Sequence, residues 1–160
     1  DMANFADYII IMGYDEHYKG SDAGSVASIN WVNDGVTNTL DEVPADQVIL
    51  GMPFYTRIWS LTPKDTDNVS QTDTSDSSNY TTSSSVYGME QAAASWDSVS
   101  GQNYAEWTKD NVIYKVWLED SSSMEERLKL VTGNSLAGAA FWKLGFETSS
   151  IWDTVIKYIN

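Results

Sequence analysis

The chain has 160 residues, 9 Lys and Arg against 23 Asp and Glu for a formal net charge of -14, no Cys, 7 Trp and 9 Tyr. That is about one domain's length, and its 42% hydrophobic and 12% aromatic content excludes wholesale disorder. Scattered basic residues exclude a nucleic-acid footprint, and the lack of Cys excludes disulfides, thiolate metal sites and a thiol nucleophile.

No apolar run approaches the roughly 20 residues needed to span a bilayer, and no signal peptide is evident. A start on Asp1 instead of Met is consistent with a fragment. Residues 8–14, YIIIMGY, form a continuous apolar run that predicts a strand buried on both faces. Over residues 25–40 the pattern turns helical, with Val26, Ile29, Val32, Val36 and Leu40 in one stripe, until Pro44 and Asp46 break it. Residues 48–55, VILGMPFY, predict a second buried strand with Pro53 near its end.

From 60 to 85 the composition shifts to Ser, Thr, Asp and Asn, which predicts a solvated loop or insertion, with the acids of 65–76 on a solvated face. A short helix is expected over 87–96. Strands are expected over 103–108 and 112–118, with Asp110-Asn111 as a hairpin turn. Ser123 is placed to cap a helix over 124–131, since Glu126 follows at capping-box spacing. Residues 137–142 predict a third short strand. A last helix over 150–158 puts Ile151, Trp152, Val155 and Ile159 on one face.

The order β-α-β-(insertion)-α-β-α implies parallel strands with right-handed crossovers, in a small doubly wound sheet or a barrel segment. Chemistry then belongs at the C-terminal strand ends. These ends carry Met12, Tyr14, Asp15, Glu16 and His17, then Met52, Phe54, Tyr55, Arg57 and Trp59, then Phe141, Trp142, Lys143 and Glu147. Aromatic plates beside carboxylates, an Arg and phenols suit sugars, whose C–H faces stack and whose hydroxyls need strong hydrogen-bond partners. The alternative is ordinary rim packing of the aromatics and a surface pairing of Arg57. No Gly-rich phosphate loop follows any strand. Asp15-Glu16-His17 lacks a second ligand cluster, so capping, solvation or substrate hydrogen bonding is favoured over a metal. His17 lacks a nucleophile elbow for a triad.

Met12-Gly13-Tyr14-Asp15 resembles the Met-x-Tyr-Asp signature on the sixth strand of family 18 glycoside hydrolases, the chitinase-like barrels. Gly51-Met52-Pro53-Phe54-Tyr55 with Arg57 and Trp59 resembles that family's seventh strand, and residues 139–147, AAFWKLGFE, its eighth. Residues 114–120, YKVWLED, with Ser123, and Tyr14-Asp15-Glu16-His17 resemble the spore-cortex and cell-wall N-acetylglucosaminidase branch.

The resemblance implies an α/β fold: the C-terminal portion, strands six to eight, of a TIM (β/α)8 barrel with a small α+β insertion. Residues 1–59 and 121–160 would be barrel segment and 60–120 insertion. It implies no cofactor, a partner that is an N-acetylglucosamine polysaccharide or oligosaccharide (peptidoglycan or chitin), and a secreted, cell-wall or spore-envelope location in a bacterium.

The family's general-acid string, Asp-x-x-Asp-x-Asp-x-Glu, is absent from these residues. The isolated chain is therefore expected to be inactive, and an open barrel segment is expected to self-associate through its free edges. By resemblance, Tyr14 would hold the substrate's 2-acetamido group and Asp15 a hydroxyl or the strained ring, as the catalytic pair. Met12, Tyr55, Arg57 and Trp142 would bind substrate, with Trp142 as the floor, and Glu119 and Asp120 would close over the cleft. The alternatives are a non-catalytic carbohydrate-binding module and a standalone α/β domain.

Overall fold

The structure is a computed structural model that describes residues 2–63, 69–79 and 93–158, with 62–63 and 69–79 described as backbone. Strands β1 (Ile9–Met12), β2 (Val48–Pro53), β3 (Tyr55–Pro63), β4 (Val69–Asn79), β5 (Ser95–Asp97), β6 (Gln102–Lys109), β7 (Val112–Leu118) and β8 (Gly138–Trp142) form two sheets. Helices α1 (Ile29–Leu40), α2 (Ser121–Gly133) and α3 (Ser149–Val155) complete the fold.

The first sheet has the order β1-β2-β8 and is parallel throughout, as the alternation predicts. Its three C-terminal ends share one rim. Alternate residues of β1 and β2 turn toward the helices, where Leu50 and Met52 pack with Val32, Val36, Leu128 and Val155. Phe54 stacks on Phe141 with centroids 4.8 Å apart, and Trp152 meets both rings edge-on. Gly51 is required where β1 and β2 close up, because a Cβ there would lie 2.9 Å from the Ile11 carbonyl oxygen. The opposite face of the sheet is open: Ile10, Met12 and Trp142 are exposed. This corrects the expectation that residues 8–14 are buried on both faces. Only one layer of helices covers this sheet, so every second apolar side chain of β1 remains uncovered.

The second sheet is antiparallel, in the order β4-β3-β7-β6-β5. The chain leaves the first sheet at Pro53 and enters the second at Tyr55, so residues 48–55 belong to two strands and not one. The expected loop from residue 60 onward is instead strand through Pro63 and again over β4. Cross-strand pairing in a sheet satisfies the backbone of a Ser/Thr-rich segment without an apolar pattern. Asp110 and Asn111 form the hairpin turn expected of them, and both take positive φ, 51° and 62°, as a two-residue type I′ turn requires. Ile58, Ala105, Trp107 and Val116 form a separate small core.

Four further expectations change. Residues 25–28 are not helical; α1 begins at Ile29 because their polar groups are engaged elsewhere, as described below. The helix expected over 124–131 starts at Ser121, and its N-cap is Asp120, with Ser123 completing the capping box; Glu126 pairs instead with Lys129. Of the helix expected over 87–96, residues 87–92 lie outside the described residues, and 95–97 are strand. The last helix ends at Val155, and Ile159 lies outside the described residues.

Gly35 sits inside α1 with exposed, open space around its Cα. Replacing Gly35 by Ala is expected to stabilise the chain by about 0.5–1 kcal/mol through lost unfolded-state freedom. A urea midpoint that fails to rise would contradict this.

Candidate functional site

The rim is built around Asp15, which follows β1 with φ at 65°, in the left-handed region. A residue with a Cβ holds that conformation at a cost of about 1–3 kcal/mol, so its surroundings must impose it. Two donors grip its carboxylate from the other sheet. The Tyr55 hydroxyl donates to Oδ1 at 2.6 Å, and Arg57 Nη2 donates to the same oxygen at 2.7 Å. Among the described residues Oδ2 has no bonded donor, and the Asp15 side chain is 47% exposed. Arg57 also lies over the Tyr55 ring, 5.8 Å from its centroid, and Tyr14 meets that ring edge-on at 6.1 Å.

Burial, reinforced by the hydrogen bond to Asp15, holds the Tyr55 phenol well above the usual tyrosine range. Burial and then the Asp15 charge push Tyr14 in the same direction. Both phenols are therefore hydrogen-bond donors at physiological pH. Beside them an apolar cleft of about 340 Å³ is lined by Ile10, Met12, Tyr14, Phe141 and Trp142, among others. Trp142 is 55% exposed at the end of β8. Its carbonyl accepts the Phe54 N–H at 2.7 Å, and its peptide bond to Lys143 is cis. The structure thus brings together Met12, Tyr14, Asp15, Tyr55, Arg57 and Trp142.

Glu119 and Asp120 are not among them. Asp120 caps α2 through Ser122 and Ser123 N–H groups. Glu119, 3% exposed, receives Arg127 Nη1 at 2.6 Å, Arg127 Nη2 at 2.8 Å, Gln102 Nε2 at 2.8 Å and the Ser123 hydroxyl at 3.0 Å. Burial pushes its carboxyl up to about 7 against the pull of Arg127 and Ser123. His17 is also occupied: its Nδ1 donates to the Ser25 carbonyl at 2.8 Å. Among the described residues no group of three or more His, Cys, Asp or Glu is placed to hold a metal ion.

Sequence reasoning missed Arg127 and Gln102. The available signal was Arg127 itself, a charge on the apolar stripe of Met124, Leu128 and Val131, where a charge needs a buried partner.

Comparison with known proteins places the geometry in context. The model of "Glycosyl hydrolases family 18" matches residues 1–147. An uncharacterized glycosylase of Bacillus subtilis (strain 168) is 26% identical over 157 residues, covering 98% of this chain and 43% of that protein. The cortical fragment-lytic enzyme of the same organism is 24% identical over 153 residues, covering 91% of this chain and 33% of that enzyme. The chain thus spans less than half the length of these relatives. Among solved structures, a chitinase from Chromobacterium violaceum superposes with a TM-score of 0.79 at 23% identity, over 99% of this chain and 47% of that one. At this identity the likeness shows the fold: three parallel strands of a partial barrel with an antiparallel sheet inserted.

Proposed function

The chain belongs to glycosyl hydrolase family 18, and on that premise we propose that its rim is the sugar-binding part of an active site for N-acetylglucosamine polymers, peptidoglycan or chitin. The observation that supports this best is the Asp15 carboxylate, gripped through one oxygen by Tyr55 and Arg57 beside a cleft that Trp142 helps to line. Oδ2 is left to accept a sugar hydroxyl. Tyr14 donates its phenol to the 2-acetamido group and orients it toward the anomeric carbon, in the substrate-assisted retaining scheme that departs from two-carboxylate hydrolysis. Trp142 supplies a fixed apolar plane beneath the reacting ring. Met12 lines the wall.

Residues 1–54 and 121–160 form the barrel segment of this reading and 55–120 the insertion, the boundary moving from 59 to 54 because Tyr55 opens β3 of the antiparallel sheet. The whole protein works outside the cell, at the wall or spore envelope. A second reading, a carbohydrate-binding module without catalysis, is favoured by the absence of the Asp-x-x-Asp-x-Asp-x-Glu string from the sequence.

Titration with N-acetylglucosamine oligosaccharides, followed by tryptophan fluorescence, tests the site. Replacing Trp142 by Ala is expected to weaken binding about tenfold, the value of one stacking contact. Oligomers of glucose, which lack the acetamido group, are expected not to compete. Equal binding of both sugars, or indifference to the Trp142 substitution, would remove this assignment.

A further inference from the structure

Five successive residues of the connection between β1 and α1, 24–28, are each hydrogen-bonded, three of them to other elements. The Gly24 carbonyl accepts Trp59 Nε1 at 2.8 Å. The Ser25 hydroxyl donates to Gln102 Oε1. The Val26 carbonyl accepts the Glu16 N–H at 2.9 Å. The Ala27 carbonyl accepts Arg127 through Nε at 3.2 Å and through Nη2. The Ser28 N–H donates to the Glu16 carboxylate at 2.8 Å. Three of these anchors, Trp59, Gln102 and Arg127, come from β3, β6 and α2, and all three are buried.

The same segment grips the two residues that follow Asp15. Glu16 is tied by its N–H and its carboxylate, and His17 by Nδ1 on the Ser25 carbonyl. The His17 ring lies against Gly24 where any Cβ would overlap it. Arg57 Nε completes the hold on the His17 carbonyl at 3.2 Å. Asp15 therefore stands one residue from a block that can move only if buried hydrogen bonds break. That block supplies what its left-handed backbone requires.

We propose that Trp59, Gln102 and Arg127 are positioning residues for the Asp15 carboxylate, acting through segment 24–28 and the Glu16-His17 pair. On this view the antiparallel sheet and α2 set the geometry of the rim besides flanking it. The sugar-facing role of Asp15 rests on the function proposed above; its placement does not.

Tyr55 reports the placement without any sugar. Its phenol faces Asp15, Arg57 and Tyr14, and the Asp15 hydrogen bond helps keep it protonated. In the whole chain with ring-labelled tyrosine, NMR titration is expected to show Tyr55 still protonated after the exposed tyrosines have ionised. Asp15→Asn sets the size of the effect, and Tyr55→Phe assigns the signal. Trp59→Phe keeps the ring and removes the N–H, and Gly24→Ala displaces His17. Both are expected to lower the Tyr55 titration toward that of the Asp15→Asn chain, because the hydrogen bond to the Asp15 carboxylate favours the protonated phenol.

A folded Trp59→Phe chain with the Tyr55 titration unchanged would overturn the proposal, whether or not Gly24→Ala folds. Oligosaccharide titration of the same samples separates the two claims. A Tyr55 shift in a chain that binds no N-acetylglucosamine oligomer supports the positioning role and overturns the sugar reading.

Discussion

The 160-residue chain alone is expected to give no turnover of a chromogenic N-acetylglucosaminide, and to regain turnover only with the part of the barrel that carries an Asp-x-x-Asp-x-Asp-x-Glu string. A missing general acid removes roughly 10²–10⁴ from proton transfer. The loss is larger than that factor, because the remaining barrel strands would also supply preorganised dipoles around the charge that develops in the transition state. The two edges of the parallel sheet, unpaired among the described residues, point the same way. β1 and β8 are each paired on one side only, and Phe5 is 91% and Met12 69% exposed next to the β1 edge. Alone, such an edge is expected to drive concentration-dependent self-association in sedimentation. Mixed with the complementary part, the same edge is expected to pair productively, so that activity and a 1:1 species appear together. Turnover by the chain alone would overturn the first expectation, and a monodisperse monomer at all concentrations the second.

The largest effect on stability is expected at Arg127. Replacing it by Met leaves the Glu119 carboxylate buried without its cation, at a cost of about 3–5 kcal/mol near neutral pH and above. The pH dependence has a definite sign. Burial raises the native Glu119 carboxyl toward about 7, above its unfolded value, so between the two the native state binds more protons than the unfolded one. Stability from this group is therefore greatest below the unfolded value and falls as pH rises toward 7. Without Arg127 that decline continues to higher pH, so the Arg127→Met cost is expected to shrink on acidification. The double variant E119Q/R127M, which buries no charge, is expected to recover most of the loss. Urea midpoints at pH 5 and pH 8 read all three, and an R127M cost that is small and flat with pH would show that the pair contributes little.

The division between legible and hidden features follows a physical line. The parallel strands could be read because β-branched apolar runs such as Ile9-Ile10-Ile11 have few other uses. The turn at Asp110-Asn111 could be read because few residues accept two successive positive φ angles. The strand β4 could not, since Ser, Thr and Asp in a ladder carry no apolar period. α1 begins four residues after the start that its apolar spacing predicts, for a similar reason. Val26 continues the helical spacing, but the carbonyls of Gly24 and Ala27 are spent on Trp59 and Arg127. Glu119 looked like a cleft residue on the strength of its motif. Its position at the end of β7 instead turns it toward α2, where Arg127 lies.

The sequence by itself determined the three parallel strands, the helices between them and the family, because each of these is written in local runs and short motifs. Only the tertiary structure decided which oxygen of Asp15 is taken by Tyr55 and Arg57, and which is left over. It also decided that one face of the parallel sheet stands open and that Glu119 belongs to a buried ion pair. The grip on Asp15 depends on contacts with residues 40 and 42 positions away, from the other sheet. Such contacts follow from how two sheets meet at Phe54, a relation that no local pattern of side chains encodes.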